Sequence, residues 1–262
     1  MKHREKRLGI YLLPNLFTTA SLFAAFYSLV ASMQSRYEVA VIAIFIGMVA
    51  DGLDGRIARM TNTETAFGAE YDSLSDMVTF GVAPALLFYS WTLNQLGKVG
   101  WLIAFIYTAA VALRLARFNT QLETADKRYF QGLSSTLGAA LMASFAWVCN
   151  QSQLPPLLIS VVSATLTLII AILMVSNIRY NSFKQVDLKG KVPFLYVLVI
   201  VLLFVAIASN PSLVLFTASL LYAASGPVQT LFALQRVRKI RKRRGAANIR
   251  RKANVDDKGS RT

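Results

Sequence analysis

The chain has 262 residues, 55% of them hydrophobic, and a positive mean hydropathy, which excludes an ordinary soluble domain. Twenty-eight Lys and Arg against 13 Asp and Glu give a formal net charge of +15. The single cysteine, Cys149, excludes a disulfide framework and a cysteine-rich metal site, and reads as a small apolar filler.

Eight hydrophobic segments are predicted in chain order, over about 9–33, 38–60, 73–95, 99–118, 132–150, 154–176, 192–209 and 211–234. Several reach the roughly 18 to 25 residues a helix needs to cross a bilayer. The first carries Pro14 and Asn15 and runs to about Gln34 without a small-residue cleavage site, so it is expected to stay as a helix rather than be removed as a signal peptide. Gly132, Pro155, Pro193 and Pro211 fall near segment starts, where the chain is expected to turn.

Charge sets the expected orientation. With a cytoplasmic N-terminus, 26 of the 28 Lys and Arg lie on the inside, and the outside loops keep only Arg36 and Lys98. The predicted fold class is therefore all-α: a polytopic transmembrane bundle of about eight helices with both termini cytoplasmic. Residues 1–235 form the membrane domain, and 236–262 a basic, disordered cytoplasmic tail. Seven of the nine residues from Arg236 to Arg244 are basic. Such a run neutralises nucleic-acid phosphates or contacts anionic lipid headgroups. Its place directly after a span favours lipid contact or topology anchoring, and no nucleic-acid partner is expected.

The chemistry is concentrated between residues 51 and 76, in Asp51-x2-Asp54-Gly55-x2-Ala58-Arg59-x8-Gly68-x3-Asp72-x3-Asp76. Helical spacing puts Asp51, Asp54, Gly55 and Ala58 on one face. Asp72 and Asp76 are one turn apart at the start of the next helix. A short cytoplasmic turn makes the two helices antiparallel neighbours, so four carboxylates converge at the membrane boundary. A charge near the centre of a membrane helix costs about 2.5–3.5 kcal/mol on insertion scales, and mutual repulsion adds to it. One or two Mg²⁺ or Mn²⁺ ions are the natural compensation, shared with substrate phosphates. Gly55 and Ala58 keep this face thin enough for a phosphate ester, and Arg59 beside it suits bidentate phosphate binding. The competing reading is a solvated loop whose aspartates cap helices.

This spacing resembles, position for position, the signature of the CDP-alcohol phosphatidyltransferase family. The resemblance implies a two-metal site with Asp51, Asp54 and Asp72 as ligands and Asp76 as both ligand and general base. By the same resemblance Gly55, Ala58, Arg59 and Gly68 line the CDP site, and Asn15 and Thr18 of the first span belong with the CDP-diacylglycerol donor. Further stretches are similar to the serine-using branch of the family: Pro14-Asn15-Leu-Phe-Thr18-Thr19, Tyr71 to Pro84, Arg114-Leu-Ala-Arg117-Phe118-Asn119, Phe130-Gln131-Gly132-Leu133 and Met174 to Lys184. Ser134 stands where that likeness leads one to expect proline. The implied reaction is transfer of a phosphatidyl group to the L-serine hydroxyl, giving phosphatidylserine and CMP, by a homodimer.

Serine's carboxylate calls for a cation. Arg114 and Arg117, one turn apart, serve either there or as positive-inside anchors. Asn119, Gln131 and Lys184 are weaker serine-binding candidates, and His3, in a charged terminal stretch, is not expected to be catalytic. Two rival functions stand: the same chemistry on glycerol 3-phosphate or inositol phosphate, and a cation-coupled transporter.

Overall fold

The computed structural model describes residues 2–61, 63, 65–121, 129–181 and 194–230. Lys184 and the basic tail 236–262 lie outside the described residues. The elements run α1 (Lys2–Met33), α2 (Tyr37–Thr61), α3 (Ala66–Asp76), a π-helical stretch (Met77–Val82), α4 (Ala83–Trp91), a 3₁₀ turn (Leu93–Leu96), α5 (Lys98–Gln121), β1 (Tyr129–Gln131), α6 (Ser135–Asn150), α7 (Pro156–Val175), β2 (Arg179–Asn181), α8 (Phe194–Ser209) and α9 (Pro211–Thr230). α3, the π stretch and α4 form one continuous rod, so each predicted hydrophobic segment meets one helical rod among the described residues.

The architecture is helical, with one departure from the all-α expectation. β1 and β2 pair antiparallel, Phe130 opposite Tyr180. Among the described residues, four helical segments are long and apolar enough to cross a membrane: Leu13–Met33, Lys98–Thr120, Pro156–Val175 and Pro211–Thr230. The others fall short for local reasons. α2 carries the charges of its aspartate face, and the 16-residue α6 and α8 reach only about 24 Å at 1.5 Å per residue. The chain is a membrane-integral protein on these helices.

Small residues let α1 and α2 pack closely. Ala25, Ala31, Ala40, Ala43 and Ile44 are buried between elements, and Ser21 Oγ donates to the Gly47 carbonyl at 3.0 Å. At the other end of α2, Glu38 Oε1 accepts from Trp147 Nε1 of α6 at 3.1 Å.

The π stretch has a specific cause. Pro84 has no N–H to give Phe80, and the Ala83 N–H bonds back to the Val78 carbonyl, five residues away. The freed Phe80 carbonyl accepts instead from the hydroxyl of fully buried Tyr107 at 2.8 Å. One α-helical bond is thus replaced by a bond from α5, about one turn after Asp76.

The β pair is anchored at both roots. Gly132 has φ of 76°, and a Cβ there would lie 2.3 Å from the Met174 carbonyl oxygen, so only glycine fits. Its N–H donates to Ile178 O at 2.8 Å, and Leu133 N–H to Leu173 O at 3.1 Å. Buried Tyr180 stacks on Tyr222, donates to Ala223 O at 3.0 Å, and lies where any side chain at Gly226 would collide with its ring. Ser134 caps α6, its side chain accepting from Leu137 N at 3.2 Å. Its φ of −66° is one a proline would also hold, so the serine at this position gains a cap without changing the backbone.

Candidate active site

Asp51 and Asp54 lie in the C-terminal half of α2, and Asp72 and Asp76 in the second half of α3, which starts at Ala66, ahead of the point predicted from hydropathy. Thr65 caps α3, accepting from Gly68 N at 3.0 Å, and this fixes the direction in which Asp72 and Asp76 leave the turn. Carboxylate oxygens of Asp51, Asp72 and Asp76 lie within 4.8 Å of one another. Asp51 and Asp76 are within hydrogen-bonding reach of each other.

Such a group fits a divalent cation. Oxygens on opposite sides of one ion at 2.0–2.6 Å are about 4 to 5 Å apart, so 4.8 Å falls inside the range a single ion can hold. Asp72 Oδ1 is buried and has no hydrogen-bond partner among the described residues, an acceptor that a cation would satisfy. Asp72 stands ahead of the segment predicted to enter the membrane. Burial, and then the charges of Asp54 and Asp51, push its carboxyl up to about 7.

Asp54, the fourth member of the motif, stands apart from this group. It is buried, and its Oδ2 accepts from Thr18 Oγ1 at 2.7 Å. Thr18, expected against the donor, thus spends its hydroxyl on an aspartate. Its carbonyl also accepts from Ser75 Oγ at 3.2 Å. One residue on, Thr19 Oγ1 and Tyr71 OH are 2.9 Å apart. A side chain at Gly68 would come within 3.4 Å of Asn15 Oδ1. The Pro14 to Thr19 stretch therefore keys α1 into both aspartate helices, beside Asp54 on one and between Gly68 and Ser75 on the other. The sequence spacing carried no signal for these contacts, because 36 to 57 residues separate the hydrogen-bonded partners.

The remaining donor-side residues divide. Gly55 is exposed, and a Cβ there would meet nothing nearer than Arg59 at 4.0 Å, so packing alone does not require glycine. Arg59 Nε donates to the Gly55 carbonyl at 2.8 Å, laying its guanidinium back along this open face, with half-buried Ala58 beside it. Gly68 has a local reason of its own, since a Cβ would press within 3.0 Å of the capping Thr65 Oγ1. Between α1 and α2 lies an apolar groove of about 470 Å³, lined by Leu16, Thr19, Ala20, Phe23, Tyr27 and Ile46 among others.

On the other flank, the C-terminal end of α5 faces the aspartates. Arg114 interacts electrostatically with Asp76 and donates from Nη1 to Ser135 Oγ at 2.8 Å. Its Nε is buried and unpartnered among the described residues. Asn119 Nδ2 donates to Ser73 Oγ at 3.0 Å, between Asp72 and Asp76 in sequence. Arg117 behaves differently. It donates to Gln131 Oε1, to Asn177 Oδ1 at 2.6 Å and to Val175 O at 3.5 Å. Asn177 is a site-flanking residue that sequence reasoning did not single out.

A family model described as CDP-alcohol phosphatidyltransferase matches residues 11–165. The chain is 33% identical over 228 residues to a CDP-diacylglycerol–serine O-phosphatidyltransferase of Helicobacter pylori strain ATCC 700392 / 26695, covering 87% of this chain and 94% of the relative. It is 31% identical over 173 residues to the protein of that name in Bacillus subtilis strain 168, covering 66% and 92%. A third relative of that name, from Methanocaldococcus jannaschii, is 36% identical over 140 residues, covering 53% and 62%. The matched region contains all four aspartates, and the chain belongs to the CDP-alcohol phosphatidyltransferase family.

Proposed function

We propose that the protein transfers the phosphatidyl group of CDP-diacylglycerol to the hydroxyl of L-serine, releasing CMP and forming phosphatidylserine. The observation that carries the chemistry is the convergence of Asp51, Asp72 and Asp76, with an unsatisfied Asp72 oxygen, beside an open Gly55–Arg59 face. The choice of serine draws on the relatives, which carry that acceptor in their names.

Asp51, Asp72 and Asp76 would hold Mg²⁺ or Mn²⁺, with Asp54 joining them for a second ion. The metal supplies charge neutralisation for the donor's pyrophosphate. Every other part of the reaction falls to the chain. Arg59 binds a donor phosphate over Gly55, and Ala58 keeps that approach clear. Thr18 holds Asp54 in place from α1. Asp76 takes the proton of the serine hydroxyl as its oxygen bonds to the phosphorus that carries diacylglycerol, and the bond from that phosphorus to the CMP oxygen breaks. Arg114 meets the serine carboxylate, its unpartnered Nε being the donor left for a ligand. The α1–α2 groove takes an acyl chain of the donor. Thr19, which lines the groove, touches Tyr71 next to Asp72, so headgroup and tail sites are continuous.

The charge asymmetry of the loops supports eight spans with both termini and the active site on the cytoplasmic side of the cell membrane. The basic tail beyond Arg236 would contact anionic lipid, and the protein would act as a homodimer.

The test is CMP release by purified protein given CDP-diacylglycerol, Mn²⁺ and one alcohol at a time. CMP release with serine and not with glycerol 3-phosphate or inositol phosphate is expected. The reverse preference would remove serine from the proposal and leave the carboxylate chemistry standing.

A further inference from the structure

Three stretches outside the aspartate motif remain without a role in the chemistry: Arg117 to Asn119, Gln131 to Leu133, and Met174 to Tyr180. They are far apart in sequence, yet the structure knots them around one guanidinium. From α5, Arg117 reaches Gln131 at the end of β1, Val175 at the end of α7, and Asn177 between α7 and β2. These acceptors frame the root of the β pair, where Gly132 is pressed against Met174 and bonded to Ile178. A lysine has a compact ammonium in place of a planar fork and cannot reach three diverging acceptors in this way.

The knot lies against the acceptor side of the site. Arg114, one turn before Arg117 on α5, donates to Ser135, which follows the Gln131–Ser134 stretch directly. Two residues after Arg117, Asn119 bonds Ser73 between the aspartates. Displacement of the β-pair root would therefore carry Ser135 with it and release Arg114 from the direction it now holds towards Asp76. With its guanidinium engaged by Gln131, Asn177 and Val175, Arg117 is poorly placed to bind a substrate carboxylate as well.

We propose that Arg117, with Asn177 and Gln131 as its acceptors, is a positioning residue that sets the acceptor-alcohol site through Ser135 and Arg114, without touching the acceptor itself. This rests on the phosphatidyltransferase reading above. It deepens that reading by separating the two arginines that sequence alone leaves equivalent.

The test is a kinetic split in detergent-purified protein, measured with whichever alcohol the wild type accepts, so that a wrong choice of serine does not decide the outcome. Arg117→Ala should raise the KM for the alcohol about tenfold or more, with the KM for CDP-diacylglycerol changed less than twofold. Arg117→Lys should not restore it. Asn177→Ala, a milder loop substitution, should raise the alcohol KM in the same sense, and Arg117→Ala/Asn177→Ala should be no worse than Arg117→Ala alone. An unchanged alcohol KM in Asn177→Ala, alongside a raised one in Arg117→Ala, would mean that Arg117 contacts the alcohol directly. That result overturns the proposal, as do equal rises in both KM values or additive effects in the double variant. A wild type that transfers to no alcohol defeats the underlying reading instead.

Discussion

The bond from Thr18 to Asp54 offers the sharpest perturbation of the proposed metal-binding face. Thr18→Val keeps the side chain's shape and removes the hydroxyl that donates to Asp54 Oδ2 at 2.7 Å. Both residues are buried, Thr18 at 3% and Asp54 at 5% exposure, so bulk water does not readily replace the lost donor. A hydrogen bond to a charged group contributes about 1.5–3 kcal/mol. At about 1.4 kcal/mol per factor of ten, losing it would weaken whatever depends on Asp54's placement by roughly 10- to 100-fold. Thr18 Oγ1 also lies 3.2 Å from the Pro14 carbonyl, but the shorter bond to the carboxylate dominates. The assay is Mn²⁺ titration, read by the electron paramagnetic resonance of free Mn²⁺, alongside CMP release at saturating metal. Thr18→Val should lower Mn²⁺ affinity by that factor, and Thr18→Ser should keep it near the wild type. Unchanged Mn²⁺ affinity and activity in a folded Thr18→Val protein would refute the idea that α1 positions Asp54 for metal.

Two further outcomes follow from the same geometry. Ala20 is exposed on the wall of the α1–α2 groove, so Ala20→Phe fills the groove without burying a new ring in the core. The KM for a dioleoyl CDP-diacylglycerol should rise about tenfold, on the order of what losing two buried methylenes costs, while a dihexanoyl donor should be little affected; equal effects on both donors would exclude an acyl-chain role. The raised Asp72 carboxyl sets a pH sign. Unfolded, this group is ionised at both pH 6 and pH 8, whereas folded and metal-free it takes up a proton as pH falls through about 7. Folding therefore binds protons in that window, so this group makes metal-free protein more stable at pH 6 than at pH 8. Mn²⁺, which needs the ionised group, should raise the melting temperature more at pH 8. A larger Mn²⁺ shift at pH 6 would contradict the assignment of Asp72 as a ligand.

The parts of this molecule that could be read from sequence are those whose cause is local. The aspartate spacing survives into three dimensions because i+3 and i+4 neighbours share a helix face whatever surrounds them, and Asp72 and Asp76 do share one with access to Asp51. Hydropathy likewise located the rods, since it depends on composition over some twenty residues. What escaped depends on partners distant in the chain. The π stretch needs Tyr107 to cover the Phe80 carbonyl left by Pro84, and hydropathy alone reads 73–95 as one plain helix. The β pair is two three-residue strands, too short for any period-two signal, and is held by Gly132, Arg117 and the Tyr180–Gly226 contact. Thr18 and Arg117 were legible as candidate ligand-binding residues, but their partners within the chain were not. Their residue types suit ligand binding, and only the fold reveals that Asp54 and the β-pair root already occupy them.

The most direct measurement of the central claim is incorporation of isotope-labelled L-serine into lipid by purified protein with CDP-diacylglycerol and Mn²⁺, comparing wild type with Asp76→Asn. The account predicts labelled phosphatidylserine and CMP in equal amounts from the wild type, and none of either above background from an Asp76→Asn protein that still folds. Full incorporation by Asp76→Asn would contradict the role of the carboxylate cluster in the transfer.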